Sequence, residues 1–257
     1  MSVLAAWYRE HGRHDLAWRA TRDRWPILVS EVMLHQTQVP RVAAAWPAFI
    51  ARFPTAAVMA GAGPGAVIDA WDRLGYPRRA RRLWEASVVI ASSGWPEDLA
   101  TLPGVGRYTA NAVLAQADDA DVAAVEVNVR RVVERVTGRR LSPRLAEDAM
   151  REIAAPMTGR DRLLALMDVG ASRCRVRNPR CDECPLVTRC VARGPLVDES
   201  RAGRQGTFAG SFRQRRGAVL AALRNAAVPV ATVDREALES LVADGLARVE
   251  GRLARLP

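Results

Sequence analysis

Between Leu4 and about Val169 the apolar positions recur at three- and four-residue spacing, punctuated by glycine and proline, with little of the alternation that marks a half-buried strand. The pattern predicts a mainly α fold, with helices near residues 27–51, 65–73, 78–92, 107–117, 127–137, 144–155 and 160–173. After Cys190 the run RGPLVDESRAGRQGTFAG is polar and rich in glycine and arginine, the composition of a linker. Beyond it, RQRRGAVLAALRNA and DREALESLVADGL read as two helices, and ARVEGRLARLP as a short hairpin around Glu250-Gly251. The expected division is a main domain over 1–192, a linker over 193–211 and a small winged-helix-like module over 212–257.

Charge adds a partner to this outline. The 257 residues are 49% hydrophobic, enough for a sizeable core, yet they carry 38 basic against 28 acidic residues, a net charge of +10. That charge is carried by arginine, whose forked guanidinium suits phosphates, so a polyanion is the expected partner. The N-terminal MSVLAAWYREHGRH has charges inside its only short apolar stretch, and no run of about 18 apolar residues occurs. A cytoplasmic monomer without a membrane partner is expected.

Cys174, Cys181, Cys184 and Cys190 stand in the order C-x6-C-x2-C-x5-C. This spacing brings four thiolates into one compact loop, as a four-iron cluster requires. Zinc also accepts four cysteines, but its structural sites pair two short knuckles, and only Cys181 to Cys184 forms one. A disulfide frame fits such crowding least. Arg173, Arg175, Arg177, Arg180 and Arg189 interleave the cysteines and give the loop a positive face.

Upstream, Leu102-Pro103-Gly104-Val105-Gly106 precedes the helical RYTANA. Two glycines allow successive backbone N–H groups to point outward, and the helix start adds partial positive charge, so Gly104 and Gly106 can cradle a phosphate. Glu31 lies among Val32, Met33 and Leu34, where desolvation disfavours its ionised form.

The hairpin, the segments SEVMLHQTQV (30–39) and VEVNVRRV (125–132) and the cysteine spacing together resemble, over residues from about 16 to 192, the endonuclease III and adenine mismatch glycosylase superfamily. The resemblance implies a helix-hairpin-helix fold, a [4Fe-4S] cluster on the four cysteines, and double-stranded DNA containing a mispair or lesion as partner. It implies hydrolysis of the N-glycosidic bond of a flipped-out base, with Glu31 as general acid. Tyr108 stands where strand-cleaving members carry a lysine, and a phenol cannot form their Schiff base, so a monofunctional enzyme is expected. Glu126 stands where the superfamily places an aspartate; its extra methylene displaces the carboxylate by ~1.5 Å. By the same resemblance Trp18, Arg19, Leu34 and Asp168 line the pocket for adenine, and Gln36 and Thr37 insert into the duplex. Val127 replaces a usually small residue, Pro77 a second tyrosine and His35 a glutamine, while Arg78, Arg79, Arg81 and Arg82 are expected to face phosphates. The stretch from Phe208 to Gly217 resembles the shortened tail of some bacterial adenine glycosylases. Lineage thus points to adenine opposite 8-oxoguanine or guanine. The alterations leave open thymine or uracil opposite guanine, or an iron–sulfur DNA-binding protein without chemistry.

Overall fold

The computed structural model describes residues 2–196 and 206–257; residues 197–205, within the linker expected over 193–211, lie outside them. Among the described residues the chain forms eleven α-helices and one small sheet. The helices are α1 Val3–His11, α2 Arg24–Leu34, α3 Val39–Arg52, α4 Ala56–Trp71, α5 Arg78–Ser93, α6 Arg107–Asp118, α7 Val127–Thr137, α8 Pro143–Ala154, α9 Gly159–Ser172, α10 Phe212–Asn225 and α11 Arg235–Ala243. None is long and apolar enough to cross a membrane by itself.

The chain divides into two compact units. One gathers the residues up to Glu31 with those from Val105 into the linker; the other gathers Val32–Gly104 with the segment after the linker. This grouping cuts across the expected linear division at 192–212, because the last 50 or so residues pack within the second unit. In the first unit α7 and α8 both pack against α9, and Leu4, Trp7, Val129, Val132, Val133, Met150, Leu163, Leu166 and Val169 fill the core. In the second, α4 packs along α5, and Phe49 meets Phe53 and Trp71 edge-on at 5.1 and 5.7 Å.

Helix α7 shows how the sequence writes these elements. Val129, Val132, Val133 and Val136 make one buried stripe, the Glu126 carboxylate caps its start, and Gly138 ends it in the left-handed conformation at φ 75°. The single helix expected over 27–51 is instead two, α2 and α3. The break falls at 35–38, where Gln36 takes φ 56° and Pro40 sits in the first turn of α3, the place where a missing N–H costs nothing. The helix expected at 65–73 starts earlier, at Ala56, and kinks where Gly63 adopts φ 80°, ψ 162° ahead of Pro64. Helix α1, not among the expected ranges, is capped by Ser2, whose hydroxyl accepts from Ala5 N at 3.2 Å.

In the C-terminal segment the expected hairpin is present as β2 Arg248–Glu250 and β3 Leu253–Arg255, turning at Gly251 with φ 60°. A third strand that the sequence pattern did not announce, β1 Val228–Pro229, pairs antiparallel with β3, giving the order β1-β3-β2. Leu220 and Leu223 of α10, Leu238 and Leu241 of α11 and Ala254 of β3 are buried, and α10 packs against both α11 and β3.

Candidate active site

Helix α2 is apolar nearly all round, with Ile27, Leu28, Val29 and Met33 inaccessible, and it carries Glu31 into this interior at 3% exposure. A buried carboxylate needs donors, and two side chains of α6 supply them. The Tyr108 hydroxyl donates to Glu31 Oε2 at 3.1 Å, and the Gln116 amide Nε2–H donates to Oε1 at 2.7 Å. The two donors lie eight residues apart on one helix, about two turns, so they bracket the carboxyl from the same face. Burial pushes the Glu31 carboxyl above the usual carboxylate range; the Gln116 and Tyr108 hydrogen bonds pull it back, Glu126 pushes upward, and Arg19 pulls down. The Tyr108 phenol is raised well above its ordinary value by burial and by the charges of Glu31 and Glu126, so it stays a neutral donor.

Glu126 is half-buried at the N-terminus of α7. Its Oε1 accepts from Val129 N at 2.9 Å and its Oε2 from Asn128 Nδ2 at 3.0 Å, so the carboxylate lies over the positive end of that helix. Asn128 is itself held by Arg131 Nη2 at 2.8 Å. Gly170 of α9 makes room for this corner: a Cβ there would stand 2.8 Å from Asn128 Cβ.

Arg19 and Asp168 form a second buried set. Arg19 Nη1 and Nη2 donate to Asp168 Oδ2 and Oδ1 at 2.7 and 2.9 Å, and Arg13 adds its backbone N–H at 2.9 Å and Nε at 2.6 Å. Burial raises the Asp168 carboxyl, but the hydrogen bonds and charges of Arg19 and Arg13 outweigh it and hold the group below its ordinary range. Both Asp168 oxygens are thereby engaged with arginine. The Arg19 Nε–H is buried with no hydrogen-bond partner among the described residues. Trp18, beside it, is buried, and Leu34 is half-buried at the end of α2.

At the α2–α3 turn the two residues expected to insert into DNA differ: Gln36 is exposed, whereas Thr37 is buried with its hydroxyl donating to Leu74 O at 3.1 Å. Arg79 explains the turn. Its guanidinium donates to the Val32, Met33 and His35 carbonyls at 2.8, 3.0 and 2.5 Å, to Thr37 Oγ1 at 2.9 Å and to the Leu74 and Gly75 carbonyls. It also lies over the Trp71 and Tyr76 rings. The expectation that the 78–82 arginines face phosphates is corrected for Arg79, which ties carbonyls of its own unit, and for Arg81, which binds Glu85 and the Gly245 carbonyl; Arg78 and Arg82 are exposed, paired with Asp244 and Glu85. The charge run alone could not reveal these tertiary acceptors.

The glycine hairpin has the expected form. Gly104 adopts φ 76°, a Cβ there would meet Arg82 Cβ at 2.7 Å, and Gly106 is the N-cap of α6. The turn leads directly into the helix that carries Tyr108 and Gln116.

The four cysteines are free thiols and all line one cavity, closed by Val132, Val169, Leu186 and Arg135. Arg135 Nη1 approaches Cys174 Sγ at 3.6 Å, and Arg131 Nε donates to the Cys174 carbonyl at 2.6 Å. Burial pushes the Cys184 thiol up to about 11 and raises Cys174 too. Among the described residues no three Cys, His, Asp or Glu side chains stand close enough to share one ion. Four sulfurs around a common space, with cations at its wall, fit a larger anionic group whose ligands are thiolates. Arg175, Arg177, Arg180 and Arg189 are exposed on this loop, while Arg173 is half-buried over the Trp7 ring.

Residues 29–156 match the family model of the HhH-GPD superfamily of base excision DNA repair proteins. The adenine DNA glycosylase of Mycolicibacterium smegmatis is 43% identical over 98% of this chain and 94% of its own length. The chain belongs to the adenine DNA glycosylase family. The adenine DNA glycosylase of Mycobacterium tuberculosis is 41% identical over 98% of the chain and 91% of that protein. Among solved structures, a thermostable thymine-DNA glycosylase superposes with TM-score 0.66 at 26% identity, covering 74% of this chain and 93% of that one. An endonuclease III–DNA complex at 22% identity and TM-score 0.63 shares the fold. Within this family fold the residues that pattern reading missed are Gln116, Arg13 and Asn128, while Arg79 was assigned to phosphates and instead binds carbonyls. Gln116 and Arg13 act on carboxylates distant in sequence, whereas Asn128 bonds its near neighbours Glu126 and Arg131; Gln116 alone left a trace, as an amide on the apolar side of α6.

Proposed function

We propose that this protein excises adenine mispaired with 8-oxoguanine or guanine in double-stranded DNA, by hydrolysis and without strand cleavage. The observation that carries this reading is the Glu31 carboxyl, buried, raised towards its protonated form and held between Tyr108 and Gln116. In the reaction the Glu31 proton passes to the leaving purine as the C1′–N bond breaks. Glu126 stabilises the positive sugar, and water adds at C1′ while its proton returns to the Glu31 carboxylate. Trp18, Arg19, Leu34 and Asp168 would receive the flipped base, Gln36 and Thr37 the duplex, and the hairpin at Gly104 and Gly106 a phosphate.

The sequence contains no lysine at all. With a phenol at 108 and no lysine in this sequence, the ε-amine nucleophile of the strand-cleaving members has no source. Cys174, Cys181, Cys184 and Cys190 would hold a four-iron cluster that anchors the arginine-bearing loop and takes no part in the excision step. Anaerobic preparations should then show visible absorption and about four irons per chain on this assignment. We take the working form to be an intracellular monomer.

Duplexes carrying single defined mispairs test the function. Adenine release, with alkali-labile sites but no breaks before alkali and no borohydride-trapped adduct, is expected. Release of thymine or uracil instead would overturn the adenine assignment. Binding without any excision would leave only a DNA-binding role.

A further inference from the structure

We propose that Gln116 is a positioning residue for the excision reaction, fixing the plane of the Glu31 carboxyl and setting the pH range over which Glu31 keeps its proton. The inference rests on the glycosylase reading above.

Gln116 is 1% exposed, on a helix face otherwise filled by Ala112, Val113 and Ala115. A buried amide in such a place is costly unless its hydrogen bonds are made. Its side chain spends its Nε2–H on Glu31 Oε1, the shorter of the two side-chain contacts to that carboxyl. Its backbone is fixed independently: Arg160 Nη1 donates to the Gln116 carbonyl at 2.5 Å, Arg160 Nη2 to the Arg19 carbonyl at 2.5 Å, and Arg160 N to Asp119 Oδ1 at 2.9 Å. The amide is therefore delivered to Glu31 from a braced helix end.

An amide N–H stabilises a carboxylate without adding a charge, so it tempers the burial of Glu31 while leaving the group able to hold a proton. It also distinguishes the two oxygens. Oε1 is engaged by a donor that cannot accept in this orientation, so the proton belongs on Oε2, whose partner Tyr108 has a hydroxyl that can turn from donor to acceptor. The charged and titratable groups facing Glu31 are Tyr108 on α6, Glu126 at the start of α7 and Arg19 on the turn before α2. None of them duplicates the contact to Oε1.

The test is the Gln116→Met variant, close in volume and without a donor. Single-turnover excision of adenine opposite 8-oxoguanine is followed across pH, beside duplex affinity and thermal unfolding. Loss of the donor should lower the plateau rate roughly tenfold and move the alkaline limb up by about one pH unit, so that the variant-to-wild-type ratio rises with pH. Duplex affinity should not change. A ratio that is the same at every pH, or no change in rate, overturns the proposal. If Gln116→Met folds poorly, Gln116→Leu gives the same readout. If the wild-type protein excises nothing, the glycosylase reading fails, and Gln116 is judged by stability alone. Its loss should then steepen the fall in melting temperature with rising pH, and should do so only while Glu31 is present; an unaltered slope overturns it.

Discussion

The Tyr108 hydroxyl lies 3.1 Å from Glu31 Oε2, and the phenol is raised well above its ordinary value, so the pair works as a neutral donor beside a carboxyl and never as two competing acids. Tyr108→Phe keeps the ring that packs against the first unit's core and removes only this donor. Single-turnover adenine excision should fall roughly tenfold, with duplex binding intact. An unchanged rate across pH would show that the hydroxyl is idle.

Glu31→Gln should abolish excision and yet stabilise the fold. Burial raises the Glu31 carboxyl in the native state above its unfolded value near 4.5. The native protein therefore binds the proton more tightly than the unfolded chain, and its stability declines as pH rises from about 4.5 through the raised native value. A glutamine does not titrate. The variant should melt higher than wild type at neutral and alkaline pH, by about 2–4 °C for each 1 kcal/mol recovered, and the two should converge below pH 4 to 5. Scanning calorimetry at a series of pH values checks this, and equal melting temperatures at pH 8 would refute it.

Asp168 behaves in the opposite sense. Arg19 and Arg13 hold it below its ordinary value of 3.8, so its contribution is present above that pH and is lost as pH falls through the native value. With Asp168 and Arg19 only 1% and 4% exposed at their side chains, Asp168→Asn leaves a buried guanidinium without its paired carboxylate. A loss of about 3–5 kcal/mol in urea unfolding at pH 7 is expected. A loss under about 1 kcal/mol would mean that other groups already balance Arg19.

The fold was legible wherever local signals agreed. Helix α7 runs over the 127–137 that its valine stripe predicts, because stripe, cap and terminal glycine all point to one segment. The α2–α3 break was hidden, since the left-handed Gln36 sits between His35 and Thr37, which are both held by Arg79 from far along the chain. Pro40 was the available sign, because proline favours the first turn of a new helix over the middle of an old one. In the site, Glu31, Tyr108 and the glycine hairpin were readable from motif. Gln116 and Arg13 were not, since their meaning lies in what tertiary packing sets opposite them.

Glu126 performs two tasks that its substitutions can separate. Its carboxylate caps α7 through Val129 N and carries a negative charge that reaches Glu31. Glu126→Gln keeps an oxygen that can accept from Val129 N and removes the charge; Glu126→Ala removes both. If the charge stabilises the developing sugar cation, both variants should lose excision by at least about a hundredfold. Only Glu126→Ala should also lose about 1 kcal/mol of stability, the typical worth of a helix cap. Glu126→Asp tests placement: a carboxylate drawn back by ~1.5 Å should change the rate by about a hundredfold if the position of this charge is critical. Single-turnover rates and urea unfolding of the three variants decide it. Full activity in Glu126→Gln would reduce the residue to a cap and move stabilisation of the sugar cation to Tyr108 and Glu31.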